Sequence, residues 1–363
     1  MRTLVYYSSF AEVDVTVLKY LSQHYHVVWF PILYNNGHDV YTERELCEYA
    51  LKYGIELHVV NVRWRRRSIK QLFLEWNIIK LIRTYYPDIV FTCHRDLYFV
   101  LLASLLLKHD KTIFGIHDYQ RHSNFEKNIF LCFSHWLTFH LYDNFLLYSL
   151  NQKKLFQKDY PHKNSFLTYL SVKDYGKVTS SNRLSYDKIR FLFFGRIDYY
   201  KGLDLLIEAC EKLVYKVGLK AFSLSICGTG KYWEKCVTLI KNASIYNLQI
   251  RFVENEEIPN LFANHHYLVL PYRDATQSGP SMIALNYGLP IIAPNIDSFK
   301  DLYSDDAAIF YEEGGLEQAL HRALDIKKDD YQKMKANTLL AKDKYSEQQI
   351  ADIYMNVFDK LSR

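Results

Sequence analysis

The sequence predicts an α/β protein with two Rossmann-like, doubly wound domains, and two observations lead to this prediction. Short β-branched and aromatic runs alternate with segments of helical period from Thr3–Tyr7 onward. The same alternation begins again at Ile189–Phe194, after a polar stretch near Leu170–Asp187. Strands separated by helices form parallel sheets that helices cover, and 363 residues suffice for two such domains.

In the N-terminal half, β-branched and aromatic runs mark the strands and apolar spacing marks the helices. The predicted strands are Thr3–Tyr7, His26–Pro31, Ile55–Val62, Asp88–Thr92, Thr112–Ile116 and Asn144–Tyr148. The predicted helices are Val13–Tyr25, Leu46–Tyr53 and Ile69–Tyr85.

The C-terminal half repeats this alternation and ends in a long, charged helical segment. The predicted strands are Ile189–Phe194, Phe222–Cys227, Gln249–Val253, Tyr267–Leu270 and Pro290–Ala293. The predicted helices are Leu203–Val217, Tyr232–Ala243, Ile258–Asn264, Pro280–Tyr287 and the segment Leu316–Ser362. We expect one domain over 1–170, a second over 171–345, and a terminal helix over 346–363 that is able to pack back on the first.

Charge and aromatic content narrow the function classes. The net charge is +5, and residues 1–170 hold all of the excess, with 20 Lys and Arg against 15 Asp and Glu. A basic first half suits an anionic membrane or an acidic acceptor better than specific DNA reading. Aromatic residues make up 16% of the chain; codon bias is the main explanation, and stacking surfaces for rings are the alternative.

Cysteine usage and hydropathy indicate a reduced, cytoplasmic location. None of the six cysteines forms a Cys-x-x-Cys pair or lies at zinc-ligand spacing from a histidine. The N-terminus lacks the pattern of a signal peptide, and no stretch approaches the roughly 20 apolar residues that span a bilayer. Peripheral contact with the inner face of a membrane remains compatible with this pattern.

Three strand ends carry the residues suited to binding an anion. After Ile189–Phe194 the sequence continues Gly195-Arg196 and then Lys201-Gly202, so two cations precede a helix. Cations at the carboxyl end of a parallel strand, beside a helix N-terminus, form an anion site, although two solvated loop cations are the alternative. After Phe222–Cys227 comes Gly228-Thr-Gly230, which either admits a ligand close to the backbone or only makes a tight turn.

The third motif follows Tyr267–Leu270 and leads into a helix with Pro280 in its first turn. Thr276, Ser278 and the amide of Gly279 lie where backbone N–H groups have no helical partner, which favours a phosphate. Capping of the helix by Ser278 is the alternative. Asp274 and Gln277 lie on the same loop.

Together these motifs resemble the family-4 retaining glycosyltransferases of the GT-B fold, two Rossmann-like domains that face each other across a cleft. The match lies in about 190–295 at the level of motifs and covers nearly the whole chain by pattern. The resemblance implies that the C-terminal domain binds a nucleotide-diphosphate sugar and the N-terminal domain binds the acceptor. The implied donor-binding residues are Gly195, Arg196, Lys201, Gly228, Gly230, Thr276, Gln277, Ser278 and Gly279.

In this family, two glutamates at fixed spacing precede the x-Gly-x-Pro strand. The first position falls at or beside Asp274, which the resemblance makes a catalytic candidate. The second falls at Ile283, which cannot accept a hydrogen bond from a ribose. The chain therefore departs from the family pattern at this point.

The N-terminal domain supplies further candidates by the same resemblance. His117 and Asp118 follow the strand Thr112–Ile116 and are similar to a His-Asp-x(3)-His segment of some members. His117 would contact a donor-sugar hydroxyl or assist the leaving phosphate, and Asp118 would orient it. The alternative is a helix cap with surface histidines. His94, after Asp88–Thr92, is a further candidate that we interpret as structural.

The predicted activity is that of a hexosyltransferase, moving a sugar with retention to a glycan or polyprenyl-linked acceptor. No cofactor or metal is expected, since Arg196, Lys201 and residues 276–279 would stabilise the leaving diphosphate of a UDP- or GDP-linked donor. The alternatives are a non-catalytic sugar-binding or partner protein and a GT-B enzyme such as a sugar-nucleotide epimerase. A dehydrogenase is disfavoured because Trp233 interrupts the dinucleotide fingerprint, and nucleic-acid binding because charge in the second half is balanced.

One further segment suggests contact with a membrane. Arg63, Arg65, Arg66 and Arg67 precede the helix Ile69–Tyr85. With Phe73, Trp76 and Ile79 on that helix, the pattern suits docking on an anionic bilayer. A basic loop followed by an ordinary core helix is the alternative.

Overall fold

The computed structural model describes residues 1–34, 39–62, 64, 68–119, 129–179, 186–275 and 277–362. These residues form two compact units. The first contains the chain up to Ser171 together with the C-terminal residues from Glu347 onward, and the second contains Val172–Ser346. Each unit is a parallel sheet with helices between its strands, which confirms the predicted α/β class with two Rossmann-like domains.

The strands of the first unit are β1 (Arg2–Ser8), β2 (Tyr25–Leu33), β3 (Glu56–Leu57), β4 (Val60–Asn61), β5 (Ile89–Thr92), β6 (Thr112–Ile116), β7 (Asn144–Leu147) and β8 (Asn164–Leu167). Its helices are α1 (Ala11–Leu21), α2 (Glu43–Tyr53), α3 (Ile69–Thr84), α4 (Leu97–Leu106), α5 (Ile129–Leu141), α6 (Leu150–Asp159) and, at the end of the chain, α14 (Glu347–Leu361). The strand order is β3-β2-β1-β5-β6-β7-β8, with β4 paired to β2.

The central strands of this sheet are apolar on both faces because helices cover both. In β1, Leu4, Val5, Tyr6 and Tyr7 are all buried, which is the continuous apolar run expected of a parallel sheet. The terminal helix α14 packs against α1, and Lys19 forms an ion pair with Glu347 between these helices. Arg2 Nη1 lies 2.7 Å from Asp359 Oδ1 and joins the start of the chain to α14.

The apolar residues of helix α3 that were predicted to form one membrane-facing surface lie on different sides of the helix. Ile78, Ile79 and Ile82 are buried in the core, whereas Phe73 and Trp76 are exposed. The assignment of Ile79 to a membrane face is therefore wrong, because its side chain points into the sheet-facing side of the helix. Of the predicted basic cluster, Arg63, Arg65, Arg66 and Arg67 lie outside the described residues.

The strands of the second unit are β9 (Ile189–Phe194), β10 (Phe222–Cys227), β11 (Tyr246–Gln249), β12 (Tyr267–Val269), β13 (Ile291–Pro294) and β14 (Ala308–Tyr311). Its helices are α7 (Leu203–Val217), α8 (Trp233–Cys236), α9 (Ile258–Ala263), α10 (Gly279–Asn286), α11 (Asp297–Lys300), α12 (Leu316–Asp325) and α13 (Lys328–Lys342). The strand order is β11-β10-β9-β12-β13-β14, the 3-2-1-4-5-6 order of a doubly wound sheet.

Two predicted elements of the second unit differ in the structure. A strand was expected at Gln249–Val253, but the observed strand β11 already ends at Gln249. The chain turns there, and the Arg251 amide donates a hydrogen bond to the Gln249 carbonyl at 3.0 Å. The helix expected over Tyr232–Ala243 is only the short α8, followed by a 3-10 turn.

Candidate active site

The candidate site lies at the carboxyl edge of the second sheet, where the order of strands reverses. Strands β9 and β12 are neighbours at this point, although α7, β10, α8, β11 and α9 lie between them in sequence. In open α/β sheets, ligands bind in the crevice at such a reversal. The loops Gly195–Gly202 and Leu270–Ser278 leave these two strands and hold most of the predicted donor-binding residues.

Lys201 is the buried cation of this site. Its side chain is only 7% exposed, and its Nζ donates a hydrogen bond to the Tyr272 hydroxyl at 2.7 Å. The same nitrogen lies 4.6 Å from the centre of the Tyr272 ring. Among the described residues, no carboxylate forms an ion pair with it. Burial lowers the pKa of Lys201, so a bound anion would compensate the desolvated ammonium.

Gly195 lies directly beside this ammonium. The residue has a φ of +115°, and a Cβ placed on it would lie 3.8 Å from Lys201 Nζ and 3.5 Å from Pro280 Cγ. The first turn of α10 therefore lies next to Lys201. Both features suit a ligand that approaches the backbone at the end of β9.

Arg196 lies on the same loop but in a different environment. Its side chain is 74% exposed, and its Nε lies 2.9 Å from Asp198 Oδ2. The structure thus pairs this cation with a carboxylate of its own loop. Its contact with a donor diphosphate stays a prediction, and it requires Arg196 to exchange Asp198 for the phosphate.

The Gly-Thr-Gly loop after β10 packs directly on the loop after β9. A Cβ on Gly228 would lie 1.9 Å from the Gly195 carbonyl oxygen, and one on Gly230 would lie 2.2 Å from the Ile197 carbonyl oxygen. Backbone hydrogen bonds join the loops, from the Gly195 amide to Cys227 at 3.0 Å and from the Ile197 amide to Thr229 at 2.9 Å. Close packing of the two loops thus accounts for both glycines, and a role in donor binding stays a prediction.

The start of α10 provides the polar groups nearest to Lys201. Ser278 caps the helix, and its Oγ accepts from the Ser281 amide. The hydroxyls of Tyr272 and Ser278 lie 3.2 Å apart, so hydrogen bonds connect Lys201 to the helix cap. Gln277 Nε2 is buried without a hydrogen-bond partner among the described residues, which leaves a donor for a ligand.

Other residues of this segment are less informative. Asp274 and Gly279 are half-buried, and a Cβ on Gly279 would meet no atom within 4 Å. Thr276 lies outside the described residues. Ile283 is only 3% exposed within α10, so its side chain belongs to the apolar interior.

Arg273 is a residue of this site that the sequence motifs do not predict. Its guanidinium contacts both carboxylate oxygens of Asp204 at 2.8 and 2.6 Å and donates to the Tyr199 carbonyl at 2.7 Å. These bonds tie the loop after β12 to the loop before α7 and to its first turn. The sequence shows Asp204 in the first turn of α7 and Arg273 after β12, but nothing in it indicates that they are partners. They meet because β9 and β12 are neighbours in the sheet.

In the first unit, His117 lies at the carboxyl end of β6 between two aromatic rings. Its ring centre is 4.2 Å from that of Phe10 and 3.9 Å from that of Tyr148, with the Tyr148 ring stacked at 19°. The Tyr148 hydroxyl is hydrogen-bonded to the hydroxyl of Tyr354 on α14. Asp118 is half-buried next to His117. These contacts fix the plane of the imidazole.

His94 belongs to a buried polar cluster, as its structural interpretation expects. Its Nε2 lies 3.0 Å from Glu75 Oε1, and both side chains are buried. Tyr7 and Gln71 donate to the same carboxylate at 3.1 and 2.6 Å. Within the described part of the chain, no group of three or more His, Cys, Asp or Glu side chains is arranged to hold a metal ion.

Comparison with known proteins identifies the domain that contains the candidate site. Residues 188–326 match the family model described as Glycosyl transferases group 1. An uncharacterized 41.2 kDa protein in the cps region of Klebsiella pneumoniae is 30% identical over 129 residues, which are 36% of this chain and 34% of that protein. The chain thus spans about a third of the length of this curated relative.

Solved structures resemble the whole chain in fold. A glycosyltransferase from Rickettsia africae has a TM-score of 0.73 at 15% identity, over 99% of this chain and 98% of that one. Anabaena HepE in complex with UDP has a TM-score of 0.73 at 12% identity, over 99% and 100%. An Escherichia coli trehalose-6-phosphate protein bound with UDP-2-fluoro glucose has a TM-score of 0.72 at 11% identity, over 100% and 99%.

The predicted GT-B fold is therefore confirmed, and residues 188–326 are similar to the group 1 glycosyltransferases. The match of residues 188–326 supports the predicted enzyme class, glycosyltransferase. The described residues contain no helix that is long and apolar enough to span a membrane.

Proposed function

We propose that this protein transfers a hexose from a UDP- or GDP-linked sugar to a glycan or polyprenyl-linked acceptor, with retention at the anomeric carbon. The observation that carries the proposal is the buried ammonium of Lys201, which has no carboxylate partner among the described residues. It lies at the strand reversal of a group 1 glycosyltransferase domain. A nucleoside diphosphate is the anion that this arrangement suits.

The leaving group explains why cationic and amide groups meet here. When the sugar–phosphate bond breaks, negative charge grows on the diphosphate, and preorganised donors stabilise it in the transition state. Lys201 supplies a desolvated charge, and the first turn of α10 supplies backbone N–H groups. Arg196 would add a second charge after leaving Asp198. We propose that these groups do this without a metal ion or cofactor.

The remaining candidate residues receive narrower roles. Gln277 would donate from its buried Nε2 to a donor oxygen, and Asp274 would contact the donor sugar. His117 and Asp118 are proposed as catalytic groups of the acceptor-binding unit, supported by the fixed plane of the imidazole. Two structural relatives were solved with UDP or a UDP-sugar analogue bound, and the Klebsiella relative is a protein of a cps region, which supports a UDP-linked donor and a role in glycan assembly. We place this role at the inner face of a membrane as part of the proposal.

A thermal-shift screen of UDP- and GDP-linked hexoses tests donor binding, because a ligand of the native state raises the unfolding temperature. We expect one base and one sugar to stabilise the protein more than the free nucleoside diphosphate does. Release of the nucleoside diphosphate should continue in EDTA, and NMR of the product should show the anomeric configuration of the donor. No stabilisation across the panel, inhibition by EDTA or an inverted product would each contradict the corresponding part of the proposal.

A second candidate function is a non-catalytic, sugar-binding or partner protein with a glycosyltransferase fold. The observation that favours it is Ile283, an apolar side chain where the family places a carboxylate. This candidate predicts that a nucleotide sugar binds and raises the unfolding temperature but that no nucleoside diphosphate is released over many hours. Turnover in the presence of acceptor would exclude it.

A further inference from the structure

Helices α3, α4 and α5 of the first unit expose an unusual number of apolar side chains. In α3, Phe73 is 61% exposed and Trp76 is 40% exposed; in α4, Leu105 is 79% exposed. In α5, Phe130 and Trp136 are 51% and 50% exposed. Single exposed apolar residues are common on soluble proteins, but a group of large aromatic ones marks an interaction site.

These residues lie on adjacent helices of one side of the sheet. Helix α4 packs against both α3 and α5, and all three helices contribute their opposite faces to the same core. On α5, the rings of Phe133 and Trp136 stack with their centres 5.8 Å apart. We call the exposed side chains Phe73, Trp76, Leu105, Phe130, Phe133 and Trp136 the aromatic face.

The charged side chains that α3, α4 and α5 themselves expose have one sign. The sequences of α3, α4 and α5 contain a single carboxylate, Glu75, and its side chain is fully buried. The exposed charged residues of α3 are Lys70, Lys80 and Arg83, and Lys80 Nζ lies 5.7 Å from the centre of the Trp76 ring. In the segments that follow these helices, Lys108, Asp110 and Asp143 are exposed, so the charges there have both signs.

We propose that the aromatic face docks on an anionic phospholipid bilayer. Exposed Trp and Phe next to Lys and Arg are the composition of helices that lie in the headgroup region, where the rings enter the acyl boundary and the cations meet lipid phosphates. A protein partner with mixed charges would meet no exposed carboxylate on these three helices.

This inference deepens the proposed function, because a polyprenyl-linked acceptor is held in such a bilayer. It nevertheless rests on observations in the first unit alone and uses no residue of the donor site. Vesicle binding can be measured without donor, acceptor or turnover. Failure of docking and failure of sugar transfer are therefore distinguishable.

Sedimentation with vesicles tests the proposal directly. The full chain should bind vesicles of phosphatidylcholine mixed with phosphatidylglycerol and bind pure phosphatidylcholine weakly, with binding that falls as salt rises. The double variant Phe133→Ser, Trp136→Ser should bind at least about ten-fold more weakly, since two aromatic side chains no longer enter the bilayer. Brominated lipid should quench the Trp fluorescence of the wild type, and it should quench that of the double variant less, because Trp136 is absent.

Matched control variants show whether weaker binding comes from the aromatic face itself or from any loss of exposed apolar area or positive charge. Tyr215 and Phe252 in the second unit are 77% and 68% exposed, so Tyr215→Ser, Phe252→Ser should bind vesicles like the wild type. Lys80→Glu, Arg83→Glu should weaken binding by roughly five-fold for each cation removed. The exposed pair Lys212→Glu, Lys220→Glu removes the same charge from the second unit and should have a smaller effect.

Several results would overturn the proposal. One is equal binding to neutral and anionic vesicles; another is wild-type binding by the Phe133→Ser, Trp136→Ser protein when its thermal unfolding shows that it is folded. A third is that the wild type does not bind vesicles but forms a dimer in sedimentation velocity, and that the Phe133→Ser, Trp136→Ser variant does not. That result would identify a second copy of the chain as the partner of the aromatic face.

Discussion

The Nζ of Lys201 and the hydroxyl of Tyr272 are joined by a hydrogen bond of 2.7 Å, although 70 residues of α/β structure lie between them. Tyr272 lies on the loop after β12, and Lys201 lies on the loop after β9. The hydrogen bond therefore joins the two loops at the point where the strand order of the second sheet reverses. Both side chains are buried. This relationship holds a desolvated ammonium at the place where the proposed donor diphosphate would bind.

Replacing Lys201 by Met should change stability and activity in opposite directions. The substitution keeps an unbranched side chain but removes a buried charge without a carboxylate partner, so the protein should be as stable as the wild type or more stable. Donor turnover should fall by roughly 10²- to 10³-fold, as when one stabilising group of a transition state is lost. Urea unfolding and the release of nucleoside diphosphate measure the two effects. Unchanged turnover in a folded protein would remove Lys201 from the mechanism.

The pH dependence of donor binding should also depend on Lys201. Because burial lowers the pKa of this ammonium, it loses its proton at a lower pH than an exposed lysine does. Affinity for a nucleoside diphosphate should therefore be high while Lys201 is protonated and should fall as the pH rises through its lowered pKa. Calorimetric titrations between neutral and alkaline pH test this, and the same fall in Lys201→Met would assign it to another group.

Two glycines of the second unit should respond differently to alanine. Gly228→Ala places a Cβ 1.9 Å from the Gly195 carbonyl oxygen, so we expect a loss of more than about 3 kcal/mol or no folded protein. Gly279→Ala meets no atom within 4 Å and should preserve or slightly raise the free energy of unfolding. If the diphosphate lies at the start of α10, Gly279→Ala should still weaken donor affinity. Wild-type affinity would place the phosphate elsewhere.

Tyr354 should act on catalysis through Tyr148 and His117. Tyr354→Phe removes the hydroxyl partner of Tyr148, whose ring stacks on His117, and misplacement of a catalytic group is costly. We expect kcat to fall roughly ten-fold with an unchanged KM for the donor. Tyr142→Phe is the matched control, since it also removes a buried hydroxyl, bound to the Val100 carbonyl at 3.2 Å. Equal losses of kcat in both proteins would indicate a general structural effect.

Stability in acid should reflect two adjacent buried histidines. Burial lowers the pKa values of His265 and His266 to about 4, from an ordinary value of 6.5. Between these values the unfolded chain binds more protons than the native protein, so stability should fall as the pH decreases from 6.5 to about 4. Each histidine accounts for roughly 3 kcal/mol over this window at about 1.4 kcal/mol per pKa unit.

Urea unfolding at several pH values measures this slope. His265→Gln removes one titrating group while retaining an amide for the bonds to Leu261 and Ser225, and it should reduce the slope by about half. His24→Gln changes an exposed histidine and should leave the slope intact. A slope that is the same in all three proteins would contradict the assignment.

The alternation of strands and helices, and the strand ends that carry Gly195 and Lys201, could be predicted because they depend on local sequence. An apolar run of four to six residues between helical segments folds into a parallel strand in nearly any context. Parallel strands also bring their carboxyl ends to one edge of the sheet. Periodicity failed for α4 and α5, which are apolar on nearly all sides and therefore show no helical period.

By itself, the sequence determined the α/β class, the two successive sheets and the loops that carry the candidate donor site. The tertiary structure alone decided the partners within those loops: Tyr272 for Lys201, Asp204 for Arg273 and Tyr148 for His117. It also decided that Ile79 is buried while Trp136 is exposed. The physical reason is that local propensity and periodicity act over a few residues, whereas partners and burial depend on crossovers that join strands distant in sequence.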